Sequence, residues 1–165
     1  MKLLAILCLG AGLLTLPQCA KKSKESAAAR DFTLKTLEGE EVTLTSLRGK
    51  VVLLDFWATW CSPCREAVPH LVALHKRYRE KGLVLIGMSA DKGEEAAVRR
   101  FVKAMDIPYM IIIAPDDLIR GYGVTALPTT VFIDRQGRIR ERIIGFNSGI
   151  GKQLAERAEV LTSER

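Results

Sequence analysis

Cys61 and Cys64, in the run Trp60-Cys61-Ser62-Pro63-Cys64, are the residues of this chain best placed to do chemistry. The chain has four cysteines, but Cys8 and Cys19 fall in an amino-terminal targeting segment, so the folded part owns a single C-x-x-C pair. One pair builds no disulfide framework; it is a redox couple or half of a metal site. It stands where a continuous apolar run, Val51 to Trp57, gives way to a helical stripe starting at Ser62. Cys61 then occupies the N-cap region, where free N–H groups and the positive end of the helix dipole stabilise a thiolate. Pro63 suits the first turn, whose N–H groups have no intrahelical acceptor anyway. Cys64 lies one turn further in and is expected to be more buried, keeping its proton until needed. A three-residue step along a helix brings two sulfurs into bonding range. Thiol–disulfide exchange follows: Cys61 attacks a substrate disulfide, a mixed disulfide forms, and Cys64 resolves it.

Other uses of the pair are weaker. A zinc site lacks a second C-x-x-C, and His70 and His75 are five apart, which puts them on different helix faces. A purely structural disulfide would close a very short loop and remove little entropy from the unfolded chain. A Cu(I) metallochaperone remains open, since thiolates suit a soft cation. No resident metal or cofactor is called for. Asp55 is the second informative residue, because an acid inside Val-Val-Leu-Leu-Asp-Phe-Trp is costly to bury without work or a partner. Six residues before Cys61, it could lie beneath the pair and accept the Cys64 proton during resolution. The alternative is a strand carboxylate paired with a lysine or arginine.

The elements that must position these groups are legible in the apolar pattern. Phe32 to Leu34 and Val42 to Leu44 alternate around Glu38-Gly39 and predict a leading hairpin. Val51 to Trp57 and Leu83 to Ser89 read as buried strands. Helices are predicted over Ser62 to Glu80, with Ala67, Val68, Leu71, Leu74 and Tyr78 inward, and over Glu94 to Met105, Asp116 to Tyr122 and Ile150 to Leu161. Met110 to Ala114 is a short strand, and Thr129 to Asp134 with Ile139 to Gly145 forms a closing hairpin. Strands alternating with helices predict an α/β fold around a mixed sheet.

The 165 residues, 48% hydrophobic and 27% charged, make one ordinary domain and exclude a disordered chain. Half of the formal +6 charge sits in residues 1–29, and the dispersed remainder points away from a nucleic-acid partner. Arg135, Arg138, Arg140 and Arg142 read as guards of an edge hairpin rather than a polyanion patch. Residues 1–19 form a targeting segment: Lys2, then an apolar run from Leu3 to Leu16, long enough for an export signal and too short for a stable span. Leu16-Pro17-Gln18-Cys19 resembles a bacterial lipoprotein box, which makes Cys19 a lipidation candidate; a helical anchor and soluble export are the alternatives. Residues 20–29 read as a linker and 30–165 as the folded domain.

Asp55 through Cys64, with Leu127-Pro128-Thr129-Thr130 downstream, resembles the thioredoxin superfamily over about 32–161. The leading hairpin, the export signal and the extra helix and strand at 94–114 make it similar to the exported TlpA/ResA-type thiol–disulfide oxidoreductases. That resemblance implies a thioredoxin-like fold: a mixed central sheet flanked by helices, with an N-terminal β-hairpin and a central βα insertion. It implies a cis Pro128 packed against the C-x-x-C and a Leu127 backbone that hydrogen-bonds the substrate; from the residues alone Pro128 could equally be trans. Trp60, Ser62, Pro63, Leu127 and Pro128 are the positions expected to meet substrate. Implied partners are disulfide-bearing envelope proteins, apocytochrome c and copper-site proteins among them, and an upstream membrane thiol reductant. Three positions depart from the group: Ala67 replaces a common glutamate, with Glu66 one place off; Asp55 is acidic where some members are neutral; and Arg30 replaces a proline. A peroxiredoxin is the competing relative, but its P-x-x-x-T-x-x-C arrangement would need Pro and Thr where Leu54 and Ala58 stand.

Overall fold

The computed structural model describes residues 27–164. Cys19, the whole 1–19 segment and most of the expected linker lie outside the described residues. In chain order the elements are β1 (Thr33–Lys35), β2 (Glu41–Thr43), β3 (Val51–Trp57), α1 (Ser62–Tyr78), β4 (Leu83–Ser89), α2 (Glu95–Ala104), β5 (Met110–Ile113), α3 (Asp116–Gly121), β6 (Thr129–Ile133), β7 (Ile139–Ile144) and α4 (Ser148–Ser163). Strands β1 and β2 form a separate two-stranded sheet, and the other five lie in the order β5-β4-β3-β6-β7. The β3–β4 and β4–β5 pairs are parallel, whereas β6 and β7 run antiparallel to their neighbours. This is the mixed α/β sheet that the alternating pattern predicts.

Strand β3 is buried at all seven positions because it is the middle strand and both its faces are covered. Val51, Leu53 and Trp57 point into one core with Cys64, Ala67, Leu71 and Leu74 of α1, Phe101 of α2 and Leu154 of α4. Val52, Leu54 and Phe56 point into the other, against Ile86 and Met88 of β4, Leu118 of α3, Tyr122 and the leading hairpin. Each such side chain contributes roughly 1.5–3 kcal/mol of transfer free energy, so neither face can slip register cheaply. The alternation therefore commits Asp55 to the face under α1.

Helix α1 continues through Pro69, where a proline removes one intrahelical hydrogen bond and commonly breaks the helix. Pro69 lies on the exposed face, so the lost hydrogen bond falls on the solvent side, while the stripe from Cys64 to Tyr78 keeps its packing. The helix closes at Tyr78, two residues before the expected Glu80, tightens into a 3₁₀ turn over Arg79–Lys81, and stops at Gly82 with φ 90°. Helix α4 begins at Ser148 rather than at Ile150, because Asn147 caps it by accepting the Ile150 N–H at 2.9 Å. Gly151 belongs to its α1 contact: a Cβ there would stand 2.8 Å from His70 Nδ1.

The edges are tied down. Thr36 bridges Ile112 and the Leu37 N–H reaches the Ile111 carbonyl, so the leading hairpin covers β5. Residues 27–29, composition-wise part of the linker, pair with the β6–β7 turn: Ala28 bridges Arg138, and the Ala29 N–H donates to Gly137. Arg30 binds the Asp117 carboxylate and carbonyl, each at 2.7 Å. The hairpin does lie at the sheet edge, as β7 is the last strand, and its four arginines are also tied within the fold. Arg135 donates to the Gly49, Thr162 and Glu164 carbonyls, Arg138 and Arg140 pair with Asp134, and Arg142 donates to the Tyr122 carbonyl. Among the described residues no helix is long and apolar enough to cross a membrane.

Candidate active site

Cys61 is the N-cap of α1. Its backbone is extended at φ −86° and ψ 106°, and its Sγ accepts the Cys64 N–H at 3.3 Å. One of the first-turn donors of α1 is thus aimed at the sulfur, as a helix start requires. Ser62 and Pro63 fill the first two helical positions. Cys61 and Cys64 are joined in a disulfide with Cα atoms 5.3 Å apart. Both are buried, Cys61 at 5% and Cys64 at 2% exposure, which ranks them as expected though by a small margin.

Asp55 lies under the helix on the Cys61/Cys64 face of the sheet, 4% exposed. Burial pushes its carboxyl up from 3.8 to about 7, and a hydrogen bond from Thr130 Oγ1 at 3.3 Å, on the paired position of β6, acts in the opposite direction. Among the described residues no cation pairs with Asp55. The salt-bridge alternative therefore fails here: the partner on β4 is Gly87, which brings no side chain. A Cβ at Gly87 would meet Ile111 Cδ1 at 2.5 Å and Trp57 Nε1 at 3.0 Å, so the wall beside Asp55 is closed by apolar and aromatic groups. Tyr109 belongs to that wall; burial, with the Asp55 charge adding, pushes its hydroxyl above the ordinary tyrosine range. His75 packs on the Tyr109 ring, 5.9 Å between centroids, and His70 on Phe146 at 5.1 Å, so both histidines are helix-packing residues.

The peptide bond between Leu127 and Pro128 is cis. Pro128 is buried, and its carbonyl accepts the Gly145 N–H at 2.8 Å. Leu127 lines an open groove of about 600 Å³ together with Trp60, Cys61, Ser62 and Pro63, so five of the predicted site residues surround one space or its floor. Ile119 and Val124 form its far wall, and the Lys92–Asp116 ion pair its rim. Trp60 is 73% exposed, unusual for an indole without something to cover it. Ala67 is buried and Glu66 is exposed, so no second carboxylate enters this site from the first turns of α1.

Asp91 is a residue that sequence reasoning missed. It is 4% exposed and binds Thr59, two positions before Cys61. The signal that marks Asp55, an acid hard against a buried strand, marks Asp91 after Leu83 to Ser89 as well. The groove wall from α3 had no such signal, because its residues meet Cys61 only through the fold.

A cysteine pair held at a helix N-terminus, on the sheet face that carries an acid of raised pKa and open to an apolar groove, can take two electrons from a dithiol as the disulfide and, once reduced, pass them to another disulfide. A profile described as the AhpC/TSA family matches residues 26–142. The chain is 40% identical over 148 residues to a thiol-disulfide oxidoreductase ResA of Bacillus cereus, covering 87% of this chain and 84% of that one. It is 38% identical over 123 residues to a thioredoxin-like protein YneN of Bacillus subtilis, covering 74% and 72%. Among solved structures it resembles a thiol:disulfide interchange protein of the thioredoxin family from Chlorobium tepidum, with TM-score 0.76 and 26% identity over 86% of this chain and 99% of that one.

Proposed function

The chain belongs to the AhpC/TSA family and is a thiol–disulfide oxidoreductase of thioredoxin-like fold; from that premise we propose that it reduces disulfides of cell-envelope proteins, with Cys61 as nucleophile and Cys64 as resolving thiol. The observation that carries this reading is the placement of Cys61 Sγ at the N-terminus of α1, against the Cys64 N–H and at the mouth of the groove.

In the reduced enzyme the Cys61 thiolate attacks one sulfur of the substrate disulfide. That bond breaks, the departing substrate sulfur takes up a proton, and a mixed disulfide joins Cys61 to the other sulfur. Cys64 gives its proton to Asp55 and attacks Cys61 Sγ. The Cys61–Cys64 bond closes, the second substrate cysteine leaves as a thiol, and two electrons have passed to the substrate. A carboxyl titrating near 7 suits that transfer, since it can accept the proton and release it again near neutrality. An upstream thiol reductant at the membrane then reopens the pair. Trp60, Pro63 and Leu127 offer the apolar surface on which an extended, cysteine-bearing segment lies.

The export reading rests on residues 1–19, with Cys19 as the lipid attachment point that holds the domain at the membrane. A peroxidase role has no support at Leu54 and Ala58, and a Cu(I) carrier would leave the acid beneath the pair without a task. Expressing Cys64→Ser in the envelope tests the proposal: envelope proteins bearing disulfides should be captured on Cys61 and released by dithiothreitol. Capture of cytoplasmic proteins alone would contradict it.

A further inference from the structure

Asp91 sits on the turn leaving β4, buried, with no cation among its partners in the described residues. Its carboxylate accepts the Thr59 N–H at 3.0 Å, the Thr59 Oγ1 hydroxyl at 2.7 Å and the Ser89 hydroxyl at 2.8 Å, while its own N–H donates to Ser89 Oγ at 3.2 Å. The rest of Thr59 is tied too. Its carbonyl accepts Arg65 Nη2 at 3.3 Å, and the turn around it closes through the Cys61 N–H on the Ala58 carbonyl at 3.1 Å. A carboxylate is costly to bury, and an amide or hydroxyl could make one tie at lower cost; what a carboxylate adds is acceptance of all three donors at once. Trp60, next to Thr59, and Ala90 and Lys92, the neighbours of Asp91, line the groove. The Asp91–Thr59 contact thus joins the loop bearing the nucleophile to another part of the groove lining.

We propose that Asp91 is a positioning residue for the exchange reaction: through Thr59 it holds Cys61 at the N-terminus of α1 and keeps the groove in register once the disulfide is open. The disulfide itself restrains Cys61 in the oxidised form. In the reduced form that restraint is gone, and the Asp91 latch carries the alignment that keeps the thiolate on the helix donors. The proposal rests on Cys61 being the nucleophile.

The test is the pH dependence of iodoacetamide labelling of the reduced protein, with the labelled cysteine located by mass spectrometry. Thr59→Val removes the shortest latch bond and changes no charge; one hydrogen bond of ordinary strength corresponds to about a fivefold slower labelling of Cys61 near neutral pH, with the labelling midpoint moved upward. Thr59→Ser keeps the hydroxyl and should restore the wild-type profile. Asp91→Asn should slow labelling as well, and the double variant with Thr59→Val should be no slower than the slower single one. If Thr59→Val labels like wild type, or if Asp91→Asn labels faster because only the charge mattered, the latch is overturned. Should Asp91→Asn fail to fold, the Thr59 pair decides the matter alone. Labelling of the wild type on Cys64 would overturn the nucleophile assignment, and the latch with it; the labelled position tells that result from the others.

Discussion

Replacing Asp55 by asparagine probes the buried acid of the central strand. In the folded chain the Asp55 carboxyl titrates near 7, and the unperturbed value is 3.8, so between about pH 4 and 7 the folded state holds a proton that the unfolded state has released. Wild-type stability therefore falls as pH rises through that window, by about 1.4 kcal/mol per pH unit, to a total of roughly 4 kcal/mol above pH 7. Asparagine does not titrate and still accepts the Thr130 hydroxyl. Whatever offset separates Asp55→Asn from wild type near pH 4, the difference should move in the variant's favour by up to about 4 kcal/mol by pH 8. Urea melts of the two oxidised proteins at several pH values measure it, and oxidation keeps the thiols from titrating. A stability difference that does not change with pH would refute the buried-acid reasoning. The same variant separates the chemical steps by stopped flow: attack by Cys61 should be largely intact, and resolution by Cys64 should slow. Normal resolution would remove Asp55 from the mechanism.

Three further outcomes are expected. Asn147→Ala removes the α4 cap and should cost about 1 kcal/mol in a denaturant melt. Gly87→Ala drives a methyl into Ile111 and Trp57 beside Asp55 and should cost about 1–3 kcal/mol, with a change in tryptophan fluorescence; an unperturbed melt would mean that the wall is slack. Cys19→Ala should release the protein from the membrane fraction, and a wild-type protein already found in the soluble fraction would end the lipid reading.

The site was legible where one residue type at one spacing carries the chemistry. Cys61 and Cys64 declare themselves, and the unbroken apolar run around Asp55 shows that the acid must be buried. The strands were legible because β3 and β4 are covered on both faces, which makes each a nearly continuous apolar run. What stayed hidden depends on contacts between distant residues. Asp91 and Thr59 are far apart in sequence, and nothing local says that a turn after β4 will meet the turn before α1. The arginines of β7 and its turn look like free charge until Tyr122, Gly49 and the end of α4 are folded against them. Asn147 gives no cap signal because Ser148 and Gly149 mimic a loop, and Ala27 to Ala29 look like linker because small residues pair through backbone alone.

The most direct test of the exchange cycle mixes reduced wild type, Cys61→Ser and Cys64→Ser with a disulfide-bonded peptide, quenches with acid, and reads intact masses and the modified position. Wild type should pass to the Cys61–Cys64 disulfide and release reduced peptide. Cys64→Ser should accumulate one peptide adduct, on Cys61, and Cys61→Ser should remain unmodified over the same time. An adduct forming on Cys64 at the wild-type rate, or peptide reduction without closure of the Cys61–Cys64 bond, would contradict the account.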